Sequence, residues 1–130
     1  MPKKLLVISA LFISILLTGC SGNSKSPQVI GSYPQNGTQD VDPNLNEIWV
    51  QFDKTMEDQS WSWAYRKEVD FPELAGAPYY TDNYTKNVLP VKLEADKEYV
   101  IWINTENLKN FKDKEGNASE PFEFKFKTRE

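Results

Sequence analysis

Phe122, Phe124 and Phe126 alternate with Glu123, Lys125 and Lys127. Apolar residues at every second position make one face of a strand, and that period cannot be met by a helix. The same beat recurs in short runs along the chain. Ile48, Val50 and Phe52 alternate with Trp49 and Gln51, and Leu89, Val91 and Leu93 alternate with Pro90 and Lys92. Pro90 has no N–H to donate, so its strand is expected at a sheet edge or with a bulge. Tyr99, Ile101 and Ile103 alternate with Val100 and Trp102. Both faces are apolar there, which predicts a central strand. Residues 29–33 form a first strand ended by Pro34, Trp61, Trp63 and Tyr65 alternate in a third, and residues 79–81 make a short edge strand.

Turn residues separate these runs. Pro34-Gln35-Asn36-Gly37 and Asp42-Pro43-Asn44 are turns, and Asn36-Gly37 suits positive φ. Residues 71–78 hold Pro72, Gly76 and Pro78 and read as an irregular loop. Residues 113–117 read as a loop hinged at Gly116. About seven short strands with no long helical pattern predict an all-β, two-sheet sandwich. Leu93-Glu94-Ala95-Asp96-Lys97-Glu98-Tyr99 has the form of a tyrosine corner. In such a corner the Tyr hydroxyl bonds to backbone a few residues upstream and pins the crossing between sheets.

The N-terminus has a different character. Lys3 and Lys4 precede an apolar segment, residues 5–17, interrupted only by Ser9 and Ser14. Small residues Thr18 and Gly19 follow, which completes the layout of a secretory signal. The segment falls short of the roughly 20 residues needed to span a bilayer. Leu17-Thr18-Gly19-Cys20 resembles the lipobox of bacterial lipoproteins. The resemblance implies that Cys20 receives a diacylglycerol thioether and then a further acyl chain of the palmitate kind, and that residues 1–19 are removed. Two or three chains hold a protein firmly to a membrane where one does not. The other reading is a buried structural cysteine after an ordinary signal. Residues 20–26 then comprise the lipidated Cys and a polar linker. Extended, that linker lifts the remainder about 20 Å from the membrane. Residues 27–130 are expected to be one domain.

Charge and composition remove several classes of function. The chain carries 15 cationic and 19 anionic residues, for a net charge of −4, and loss of Lys3 and Lys4 takes it to −6. An acidic surface argues against nucleic acid and against adhesion to anionic headgroups, which leaves the lipid as the tether. Cys20 is the single cysteine, so no disulfide supports the fold. Histidine is absent, and with it the commonest general base and metal ligand. No phosphate-binding Gly-rich loop is present.

The domain also carries a family likeness. Tyr33-Pro34-Gln35-Asn36-Gly37, then Val41, then Ile48-Trp49-Val50-Gln51-Phe52-Asp53 and Met56, resembles the opening of bacterial Ig-like domains of the S-layer type, the SbsA-like group. The closing part is similar too: residues 99–103, then Leu108, Asp113, Gly116-Asn117 and Phe124-x-Phe126-x-Thr128. The likeness covers residues 27–130 and departs from the pattern over residues 57–87. It implies an Ig-like β-sandwich. It says little of function, since such domains serve as spacers, adhesion modules and appendages of secreted enzymes.

Three groups of side chains are candidates for chemistry. Trp61, Trp63, Tyr65, Tyr79, Tyr80 and Tyr84 gather in the irregular middle. Alternation puts the first three on one face. That face either fills a core unsupported by disulfides or offers flat rings on which sugars stack. Asp40, Asp42, Asp113, Glu115 and Asn117 supply oxygens near turns. They lack the second half of a calcium loop and its terminal bidentate Glu, so a solvated turn is the simpler reading and no metal is expected. Paired carboxylates for glycoside hydrolysis are a possibility of almost no specificity among so many acidic residues. The expectation is therefore a non-catalytic, lipid-anchored, extracytoplasmic module without cofactor. Its partners would be the membrane through Cys20 and a protein, with polysaccharide binding through the aromatic cluster as the alternative.

Overall fold

A computed structural model describes residues 25–130. Cys20, the residues before it and the first part of the linker lie outside the described residues. Among these residues eight strands form two antiparallel sheets. They are β1 (Val29–Tyr33), β2 (Glu47–Phe52), β3 (Trp63–Ala64), β4 (Glu73–Leu74), β5 (Tyr79–Thr81), β6 (Lys86–Lys92), β7 (Glu98–Ile103) and β8 (Phe122–Lys127). The larger sheet runs β1-β2-β6, with β5 and β4 both on the far side of β6, and the smaller runs β3-β7-β8.

Alternation decides which side chains face inward. Ile48, Val50 and Phe52 on β2 share a face with Leu89 and Val91 on β6, because Ile48 pairs with Leu89 and Val50 with Asn87. From the other sheet come Tyr99, Ile101 and Ile103 on β7 and Phe124 and Phe126 on β8, paired Tyr99 to Phe126 and Ile101 to Phe124. Met56, Phe111, Val41 and Leu93 close the ends of this core. Each such side chain contributes about 1.5–3 kcal/mol when fully buried, and no disulfide is needed to hold the layers together.

The tyrosine corner is present. The Glu94 N–H donates to Tyr99 Oη at 2.8 Å, and Tyr99 is buried. β7 is central, flanked by β3 and β8, as its two apolar faces require. Its outer Trp102 is covered by the Arg66 guanidinium, 4.0 Å from the ring centre. Gly37 and Gly116 take φ of +92° and +88° in their turns, a region open to glycine at little steric cost.

Three elements differ from the sequence expectation. The strand holding Pro90 is neither at an edge nor bulged: β6 lies between β2 and the pair β5 and β4. The reason lies in the direction of its bonds. The Val91 N–H donates to Asn46 O on the β2 side, so Pro90 N faces the other way. There, β5 pairs with residues 86–88 and β4 with residues 91–92. Pro90 N faces the gap between them, while its carbonyl still accepts from Ala75 N–H at 3.0 Å. The run at residues 61–65 shrinks to the two residues of β3, Trp63 and Ala64 opposite Ile103 and Trp102, with one further bond from Asn104 N–H to Ser62 O where Asn104 turns left-handed (φ +66°). Residues 71–78 are less irregular than expected, holding the strand β4, and a 3₁₀ turn at Glu68–Asp70 precedes them.

Candidate functional site

The six aromatic residues of the middle segment divide among four places. Trp61, Tyr80 and Tyr84 form a chain of tilted rings, with centroids 6.1 Å and 6.2 Å apart, beside the edge where β5 ends. The Tyr80 hydroxyl donates to Ser60 O at 2.9 Å. Burial, joined by the charge of Asp58, pushes the Tyr80 phenol well above its ordinary range. Trp63 turns inward. Its Nε1–H donates to Asn87 Oδ1 at 2.7 Å, and its ring meets Phe111 edge-on at 5.7 Å. Trp61, Trp63 and Tyr80 all pack against the core.

Tyr65 and Tyr79 stand apart from that group and from each other. Tyr65 is 46% exposed and leans on Phe71. Tyr79 is 41% exposed on the outer face of the larger sheet, where its hydroxyl donates to Glu47 Oε2 at 2.7 Å. That hydrogen bond to a carboxylate raises the Tyr79 phenol above its usual value. The sequence alternation therefore brings Trp61 and Trp63 to the core margin and leaves Tyr65 as the wettest of the three.

A row of side chains, of which only Tyr79 was singled out from the sequence, crosses the outer face of the larger sheet. Tyr33 pairs with Trp49, Trp49 with Val88, and Val88 with Tyr79. Tyr33 stacks on Trp49, with centroids 6.3 Å apart and planes 25° apart. The Lys86 ammonium sits 4.0 Å from the Trp49 ring centre. Such a contact is worth about 0.5–1 kcal/mol at an exposed site. The signal in the sequence was the pair of aromatic residues at outward positions of the first two strands, which reads as a pair only once their register is known.

Beyond β1 the sandwich opens. Residues 36–41 leave the larger sheet and run along β8. Gly37 N–H donates to Lys125 O, Lys127 N–H to Thr38 O, and Val41 N–H to Lys127 O. Asn36 adds a side-chain bridge, accepting from Lys125 N–H at 2.8 Å and donating to Glu123 O at 3.2 Å. Between this segment and β1 lies an open cleft of about 880 Å³.

This topology, with its corner and its segment transferred from one sheet to the other, accords with a family match. The model of the bacterial Ig-like domain matches residues 23–128. The chain belongs to that family. No curated protein and no solved structure matches it.

Within this Ig-like domain, the acidic loop is a structural joint. Asp113 is buried, and its Oδ1 accepts from the backbone N–H groups of Glu115 and Asn117, each at 2.9 Å. Its Oδ2 meets Lys54 Nζ at 2.6 Å. Burial alone would raise this carboxyl. The Lys54 and Asn117 bonds outweigh it and hold the group at about 2, below its ordinary 3.8. An ammonium thus stands where a cation would have to bind. Among the described residues no group of three or more metal-ligating side chains is assembled. Asn104 was also not singled out. Fully buried, it accepts from Phe111 N–H and donates to Phe111 O and Ser119 O, all at 3.0 Å or less.

Proposed function

We propose that the chain is a lipid-anchored, extracytoplasmic module of the bacterial cell envelope, working by contact with a protein partner or as a spacer rather than by catalysis. Signal peptide 1–19, an acylated Cys20 with linker to residue 26, and the Ig-like domain at 27–130 are its parts. The observation that carries this reading is the order Leu17-Thr18-Gly19-Cys20 a few residues before the Ig-like match begins at residue 23. Support for contact over chemistry comes from Asp113. Its oxygens are occupied by Lys54, Glu115 and Asn117, which leaves it unsuited to proton transfer. Kinship with the S-layer type of Ig-like domain, as the Tyr33 to Met56 motif suggests, fits a position at the cell surface.

Polysaccharide binding through Trp61, Trp63 and Tyr65 finds less support. Trp63 commits its N–H to Asn87 and, like Trp61, packs against the core, so that of the three only Tyr65 is exposed. The test of the main reading is detergent partitioning. The chain expressed in a bacterium should enter the detergent phase of a cloud-point separation and be open to protease on cells stripped of outer layers. Recovery in the aqueous cytosolic fraction would end it.

A further inference from the structure

Edge strands exposed to water are normally kept short, charged or covered, because their free N–H and C=O groups pair with any strand that comes near. Most edges of this sandwich follow that rule. β3 and β4 have two residues each and β5 has three. The outer edge of β8 is covered by residues 36–41. β1 does not follow it. It has five residues, Val-Ile-Gly-Ser-Tyr, with no charge among them. Its single guard is a bulge between Val29 and Gly31. That bulge leaves Ile30 64% exposed on the cleft. Among the described residues, the side of β1 turned away from β2 makes no main-chain hydrogen bond.

The cleft beside this edge has a floor and a charged rim. Val41, Leu45 and Phe122 line it, and Asp40, Asp42 and Arg129 complete the wall. Arg129 lies 3.6 Å from Asp42, so the two cancel and Asp40 leaves the rim with one negative charge. We infer that β1 is a docking edge that receives an extended peptide strand, apolar at alternate residues and carrying a lysine or arginine that meets Asp40. This rests on the protein-contact reading above and names its surface. Main-chain bonds along β1 would supply affinity, and the apolar wall would select side chains. Charge separates this occupant from a second copy of the chain. Two copies joined at β1 would bring two acidic rims together on molecules of net charge −4 or more negative.

The test is a selection of displayed random peptides, about ten residues long, on the full chain held in detergent micelles. Selected peptides should carry apolar residues at alternate positions and at least one basic residue. Methylating their backbone nitrogens one at a time should weaken binding about tenfold at every second position only, since alternate N–H groups face β1. Ile30→Lys should weaken the parent peptides by a similar factor, while Ile30→Val holds affinity within about twofold. In the complex, the amides of Val29 and Ser32 should gain protection from hydrogen exchange. Binding that tolerates methylation everywhere, or that survives Ile30→Lys, overturns the inference. So does a selection that yields no binder, self-association through β1, or a soluble glucan that protects those amides in the peptide's stead. None of these results bears on detergent partitioning, so the two readings fail separately.

Discussion

Lys54 Nζ lies 2.6 Å from Asp113 Oδ2, joining residues 59 apart in sequence. Lys54 follows β2, and Asp113 opens the turn that returns the chain toward β8. The pair closes one end of the sandwich, where Met56 and Asp113 also form a β-bridge. Removing either partner leaves the other without its counter-charge. Lys54→Met should cost about 1.5–3 kcal/mol, the worth of a hydrogen bond to a charged group. Urea titration should show a lower midpoint with an unchanged slope.

The same pair sets an acid limb in the stability curve. Asp113 is held at about 2 in the folded state against an ordinary 3.8. A depressed carboxyl contributes stability that is complete above its unfolded value and is lost as pH falls through the folded one. Stability should therefore drop between pH 4 and pH 2. Asp113→Asn should be less stable at neutral pH and flatter across that window. Melting temperatures at half-unit steps of pH would read both effects, and parallel curves for the two proteins would contradict them.

Tyr99→Phe removes the acceptor for the Glu94 N–H and nothing else of size. The expected loss is about 1–2 kcal/mol, with the fold kept. Hydrogen exchange at the Glu94 amide should accelerate more than exchange across β7. A uniform acceleration would mean that the corner does not act locally.

Asn104→Ala should be the costliest of the single changes. Three hydrogen bonds vanish, and the backbone groups of Phe111 and Ser119 that they served are buried. At about 1 kcal/mol or more for each, the sum is about 3 kcal/mol or more. A left-handed backbone at this position adds to the penalty, since Ala tolerates it less well than Asn. Circular dichroism on heating should show the shift directly.

Cys20→Ala should abolish incorporation of a labelled fatty acid and leave residues 1–19 attached. Mass spectrometry of the N-terminus reads both outcomes. Labelling that persists in the variant would refute lipidation at Cys20.

Much of the fold was legible because burial writes itself as a period of two. The inward residues of β2, β7 and β8 are those that alternation picked out, and Leu93 and Tyr99 marked the corner. Pro90 was misread because a sequence does not show which way a strand's N–H groups point or that two short strands can share one flank. The candidate surfaces were legible only in part. The ring chain of Trp61, Tyr80 and Tyr84 needed the pairing of β5 with β6. Tyr33 and Trp49 needed the register of β1 on β2, and Asn104 looked like any polar residue at the end of a strand. Contacts between residues far apart in the chain leave little mark on local pattern.

Lys54 has a second partner. Besides Asp113, its ammonium donates to Lys25 O at 2.7 Å. Three segments therefore meet at a single side chain: the incoming lead, the exit of β2 and the acidic turn. A pull delivered from the N-terminal side would meet this knot before it reached the β1–β2 ladder, as a cable meets its strain relief on entering a housing.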